Sequence, residues 1–213
     1  SSLFFLTATK VVADWSAGVS VTQGKFSATG KETEDGEINT LPSTNLVEGA
    51  FTFPSVFVEK NIGIVSIGLD YIPGTVDTEE QARTDFNTVD TGNDGGGTSP
   101  GVTNKVSVEL SRHITLYALM PIMDSGAFVR AGIHRVDIET QETLGTGSKY
   151  PDASVFGGTL GLGYQHDTDG GFVRAEIGYS TYESITIKAS NTANEVDADV
   201  EGAFGRISIG RSF

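Results

Sequence analysis

Along most of its length this chain alternates apolar and polar residues one by one, and a period of two admits a half-apolar β-strand and little else. Trp15, Ala17, Val19 and Val21 alternate with Ser16, Gly18, Ser20 and Thr22. Val65, Ile67, Leu69 and Tyr71 repeat the pattern, as do Val129, Ala131 and Ile133, then Leu160, Leu162 and Tyr164, then Val173, Ala175, Ile177 and Tyr179, then Ile207, Ile209 and Phe213. Val106, Val108 and Leu110 lead by the same parity into Ile114, Leu116 and Ala118, which predicts one unbroken strand. In the stretch 50–59, Pro54 leaves the facing ambiguous. The predicted strands are 14–26, 50–59, 62–72, 104–120, 127–140, 154–165, 172–188 and 203–213. No segment shows the 3.6-residue period of an amphipathic helix, and no apolar run is long enough for a transmembrane helix.

Alternation alone fits a soluble β-sandwich as well as a membrane barrel, and the connections separate the two. Tight turns are expected at Glu59-Lys60-Asn61, around Pro121 to Gly126 and at His166 to Gly171, whereas 27–49, 73–103, 141–153 and 190–202 are long. Short turns at one end and long loops at the other are the asymmetry of an outer-membrane barrel. The polar face is also rich in small residues. The chain has 27 glycines in 213 residues, too many for a solvated sheet face but suited to a narrow barrel interior. With Lys+Arg 14 against Asp+Glu 28, the formal charge is −14, and a field of that sign repels a phosphate backbone, so no nucleic-acid partner is expected. Cysteine is absent, so no disulfide can staple the fold.

The final stretch, Ile207-Ser208-Ile209-Gly210-Arg211-Ser212-Phe213, resembles the C-terminal strand that outer-membrane proteins present to the barrel-assembly machinery, with alternating apolar residues and a terminal aromatic. Arg211 departs from the pattern, which has an apolar or aromatic residue there. The whole chain is similar in pattern to the small Gram-negative outer-membrane barrels of the opacity and outer-membrane protein W or X types. That resemblance implies an all-β fold: a single antiparallel transmembrane β-barrel domain over 1–213, of about eight strands, with short periplasmic turns, long extracellular loops and an N-terminal segment at 1–13. It implies residence in the outer membrane among lipid and lipopolysaccharide, and an assembly signal at Ile207, Ile209 and Phe213. Trp15, Tyr71, Tyr117, Tyr164 and Phe213 are read as interfacial aromatics.

The polar face carries Asp70, Glu109, Arg130, His134, Arg174, Glu176 and Arg206, and in a narrow lumen such charges must pair or stay wetted. They are expected to form a network that plugs the barrel. Segments 126–140 and 170–184 echo one another (GAFVRAGI and GGFVRAEI), as two strands following a tight turn under similar demands would. No metal-ligand spacing involves His113, His134 or His166. Asp90 and Asp94 form part of a calcium-loop pattern without its closing glutamate, and Asp197, Asp199 and Glu201 share one side of an extended chain, so both groups are weak Ca²⁺ candidates. No nucleophile–base constellation is present, and no enzyme activity or cofactor is expected. The leading expectation is a structural or surface-interaction barrel whose acidic loops meet an extracellular ligand or phage. A narrow porin-like channel for small solutes is the second reading, and a soluble secreted or virion β-sandwich the third.

Overall fold

The computed structural model describes residues 14–34, 37–39, 47–77, 81–85, 102–143, 151–188, 190 and 195–213. The described chain is all strand and turn: β1 (Trp15–Glu34), β2 (Glu37–Asn39), β3 (Val47–Ile62), β4 (Val65–Ile72), β5 (Val76–Asp77), β6 (Gln81–Asp85), β7 (Val102–Pro121), β8 (Ala127–Thr143), β9 (Ala153–Thr168), β10 (Gly171–Tyr182), β11 (Ile185–Lys188) and β12 (Glu195–Ser212). The sheet order β1-β3-β4-β7-β8-β9-β10-β12 is antiparallel throughout, and β12 pairs back onto β1. These eight strands close a barrel. At the seam, Trp15 and Phe213 exchange both backbone hydrogen bonds, at 3.2 and 2.9 Å. Closure leaves no sheet edge along the wall, and it removes the β-sandwich reading. β5 and β6 carry the line of β4 along β7 beyond Pro73-Gly74, while β2 and β11 extend the pairing at the loop end.

The strands outrun the sequence-predicted limits at the loop end. β1 continues to Glu34 and is paired with β12 as far as Thr33, so much of 27–49 is ladder. The span 172–188 is two strands, β10 and β11, separated by Glu183-Ser184. At the opposite end the turns are tight: Gly63-Ile64 joins β3 to β4, and Asp169-Gly170 joins β9 to β10. Gly63 (φ 66°) and Gly170 (φ 104°) take left-handed conformations that favour glycine.

Facing follows the alternation, with its environments reversed relative to a soluble protein. Val19, Val21, Leu69, Leu116, Ile133, Leu160, Leu162, Ile177, Ile207 and Ile209 are exposed on the outer wall, while Ser20, Thr22, Ser55, Asp70 and Ser208 are buried inside. An apolar exterior around a polar interior is the design of a barrel that spans a membrane. Trp15, Tyr71, Tyr164 and Phe213 are exposed on that exterior, but Tyr117 is not. It lies one residue out of phase with Leu116 and Ala118, so its ring enters the lumen. Inward glycines make room for such rings. A Cβ on Gly68 would lie 2.6 Å from the Tyr117 hydroxyl, and Gly18, Gly163, Gly178 and Gly210 face Phe57, Phe128, Phe204 and Phe172 in the same way.

One strand breaks phase. Between Ser111 and Ile114, β7 carries one more residue than its partner β8, a β-bulge. Arg112 within it adopts φ 47°, a left-handed conformation costly for a residue with a Cβ. Below the bulge, Ile114 and Leu116 face out. Above it, Leu110 packs inward on Val136, Ile138 and Val155. The unbroken parity expected from Val106 through Ala118 is therefore incorrect, because the inserted residue shifts the alternation by one.

Candidate functional site: the filled lumen

The barrel interior is layered along its axis. At the turn end Leu119, Phe128 and Phe172 form an apolar floor. Above it sit Arg130, Arg174 and Arg206 with Glu59, Asp70 and Glu176, so the formal charges cancel. Arg174, on β10, grips Glu59 on β3 with both terminal nitrogens, Nη1 to Oε1 and Nη2 to Oε2 at 2.7 Å. Its Nε donates to Gln165 Oε1 at 2.6 Å, and its guanidinium lies over the Phe172 ring, 4.2 Å from the centroid. A bidentate guanidinium–carboxylate pair fixes orientation as well as charge. Tyr117 on β7 donates its hydroxyl to the same Glu59 carboxylate at 2.7 Å, and Arg130 on β8 stacks 3.8 Å above the Tyr117 ring.

Arg130 Nη1 approaches Glu176 Oε2 at 3.4 Å, and its Nη2 lies 3.6 Å from Asp70 Oδ2. Asp70 also accepts from Arg206 Nη1 and from the Ser55 hydroxyl, both at 3.3 Å, while Arg206 Nε donates to Thr22 at 2.9 Å. The network therefore ties β1, β3, β4, β7, β8, β10 and β12 to one another across the lumen. Among the described residues, the void left between Ser20, Asp70, Arg130, Glu176, Arg206 and Ser208 is about 10 Å³, about the volume needed for one water molecule.

Of the sequence-predicted lumen residues, Asp70, Arg130, Arg174, Glu176 and Arg206 meet in this network. His134 is inside but above it, 4.5 Å from the Tyr182 ring and 5.2 Å from the His113 ring, centroid to centroid. The side chain of Glu109 lies outside the described residues; its backbone pairs with Glu139 above the bulge. Glu59, which the sequence reading did not include, is part of the network. Pro54 obscured its phase, although Ser55, Phe57 and Glu59 alternate with the outward Val56 and Val58. Tyr117 was the other omission, and the parity of Leu116 and Ala118 is the signal that finds it.

The remaining candidates lie elsewhere. Asp90 and Asp94 are outside the described residues. Asp197 Oδ1 accepts from Thr186 at 2.6 Å, and Asp199 Oδ1 accepts from Ser184. Glu201 bonds Tyr179. Each carboxylate thus has a different hydroxyl partner, and no set of three or more metal-ligating residues converges among the described residues. His166 is exposed near the turn end. Ile207, Ile209 and Phe213 lie on the outer wall.

These features define a class: an eight-stranded transmembrane β-barrel of the bacterial outer-membrane type, whose apolar belt sets it in that membrane with a charged core in place of an open bore. No protein-family model and no curated protein matches the sequence. Among solved structures, the outer membrane protein OprG from Pseudomonas aeruginosa superposes with a TM-score of 0.54 at 12% identity, covering 95% of this chain and 96% of that one. Neisserial surface protein A gives a TM-score of 0.43 at 13% identity, covering 91% and 97%. The first likeness is one of fold.

Proposed function

We propose that the protein is a surface-interaction barrel: a closed wall that holds acidic loops at the outer face of the membrane. The observation that supports this reading is the lumen. Three guanidiniums and three carboxylates, with Tyr117 and Thr22, bind seven of the eight wall strands to one another and leave about 10 Å³ between them. A barrel of this size has an interior just wide enough for side chains, and here oppositely charged side chains occupy it. Function then passes to what the wall carries. Segment 73–103 brings Asp77, Glu79, Glu80, Asp85, Asp90 and Asp94 against a single Arg83, and segment 190–202 brings Glu195, Asp197, Asp199 and Glu201. Carboxylate-rich loops on a rigid frame suit a basic or cation-bridged extracellular partner, a phage included. In this reading the outward Ile207, Ile209 and Phe213 serve the assembly machinery before they meet lipid.

Two measurements test the reading together. Protein folded in planar lipid bilayers is expected to give no resolved single-channel steps. Whole cells displaying it are expected to lose binding to a polycationic surface when the acidic residues of 73–103 are replaced by amides. Stable, well-resolved conductance from the pure protein would transfer the assignment to the narrow-channel reading.

A further inference from the structure

The bulge in β7 has a second effect, on the outside of the barrel. Leu110 faces inward, so unbroken alternation would send Arg112 inward as well. The inserted residue instead lays Arg112 on the outer wall, with its side chain 70% exposed. There its Nε meets Asp137 Oδ2 at 2.8 Å, while Arg135 Nη2 meets Asp137 Oδ1 at 3.1 Å and donates to Ser154 Oγ at 2.9 Å. One carboxylate and one hydroxyl therefore hold two guanidiniums side by side, and the group keeps a net positive charge in a chain of net charge −14. Both arginines retain N–H donors beyond these contacts, since each guanidinium carries five.

The height of this group matters. Arg135 lies eight residues up β8 from its start at Ala127. At about 3.3 Å per residue and a tilt of about 40°, that is roughly 20 Å, near the upper edge of an apolar belt about 25 Å tall. Ile114 and Phe156 flank Arg135 as its cross-strand partners, and below them Leu116, Ile133 and Leu160 are exposed. Paired guanidiniums above a column of lipid-facing apolar side chains match a molecule with phosphate at the top and acyl chains beneath.

We propose that the Arg112–Asp137–Arg135–Ser154 cluster on the β7–β9 face is a binding site for the phosphate of an outer-leaflet phosphorylated glycolipid, whose acyl chains lie along Ile114, Ile133 and Phe156. The site rests on the reading of the chain as an outer-membrane barrel with its loop end outward. A bulge is a common device for re-aiming a side chain, and a non-glycine residue held at positive φ marks a place where geometry outweighs local preference. Pre-set guanidiniums bind phosphate without first losing rotamer freedom.

The test is native mass spectrometry of the full chain in zwitterionic detergent, titrated with diphosphorylated lipid A, dephosphorylated lipid A or phosphatidylglycerol, with inorganic phosphate as competitor. Retention of diphosphorylated lipid A alone, undisturbed by millimolar phosphate, is expected. Arg112→Gln with Arg135→Gln should weaken it about ten-fold or more, the effect of losing charge-assisted hydrogen bonds. The same pair combined with Asp137→Asn, which strands no carboxylate, should do likewise. Lys60→Gln, at the opposite rim, should leave retention unchanged. The proposal fails if the double variant binds as the parent does, if dephosphorylated lipid A or phosphatidylglycerol is held equally well, or if inorganic phosphate displaces the lipid. Unboiled gel mobility is read in parallel. A folded barrel indifferent to lipid A removes this site alone, whereas a chain with no detergent-dependent fold removes the barrel reading too.

Discussion

Removing the charge of Glu59 should strongly destabilise this barrel. Glu59 is 1% exposed and accepts from both terminal nitrogens of Arg174 and from the Tyr117 hydroxyl. In Glu59→Leu, Arg174 keeps its hydrogen bond to Gln165 and its place over Phe172 but has lost the carboxylate that it grips. Breaking a buried ion pair by removing one partner costs about 3–5 kcal/mol, whereas replacing both partners with apolar residues is often close to neutral. The expectation is thus a loss of about 3–5 kcal/mol for Glu59→Leu and a recovery of more than half of it when Arg174→Leu is added. Urea unfolding in lipid vesicles, followed by the fluorescence of Trp15, the one tryptophan, gives the free energies. A double-mutant cycle then gives the coupling. If Glu59→Leu falls within about 1 kcal/mol of the parent, or the double variant loses the sum of two full penalties, the pair does not hold the wall as argued.

Other outcomes follow from the same geometry. Gly68→Ala should cost about 1–3 kcal/mol by forcing the Tyr117 ring off Glu59, and Gly205→Ala, whose Cβ would meet open space, should be close to silent in the same unfolding assay. Replacing Glu59, Arg174, Arg130 and Glu176 together by serine should turn a silent bilayer into one with resolved single-channel steps, and continued silence would show that the apolar floor seals the barrel unaided. At the loop end, the Ser154 hydroxyl and then Arg112 and Arg135 hold the Asp137 carboxyl below its ordinary value. A depressed carboxyl contributes stability that is fully present above the ordinary value near 3.8 and is lost as pH falls through the lower folded value. Asp137→Asn should therefore flatten the pH dependence of stability below about pH 4, read from unfolding midpoints across that range.

The period of two and the sorting of turns from loops were enough to place most of the wall, because on a strand each residue's side is fixed by its neighbour's. The same parity located Asp70, Arg130, Arg174, Glu176 and Arg206. The echo of 126–140 in 170–184 turns out to be a repeated pair, Phe128 with Arg130 on β8 and Phe172 with Arg174 on β10, each a buried ring two residues before a buried guanidinium. Two kinds of information lay outside this reasoning. Parity is relative, so an inserted residue at Arg112–His113 reversed the assignment of Leu110 before it on β7, with no local sign in the sequence. Composition also misled. Tyr117 was grouped with the interfacial aromatics for its chemistry, although its phase pointed inward, and Glu59 was read as a turn residue beyond an ambiguous proline. Which arginine grips which carboxylate depends on strand order and stagger across the bore, which periodicity does not encode.

The seam between β1 and β12 sets the order in which this molecule can form. β3–β4, β7–β8 and β9–β10 are hairpins that meet after only a few intervening residues, whereas Ser16 and Ser212 join across 196 positions. Loop closure on that scale is entropically costly and comes late. Until it happens, the growing sheet has two bare margins, each a row of unpaired amides and carbonyls with apolar side chains beside it, a state that water punishes and lipid cannot satisfy. Because Arg206 on β12 reaches Thr22 on β1 and Asp70 on β4 only once the circle is complete, the charged core cannot assemble ahead of the wall. The last event of folding and the sealing of the bore are then the same event.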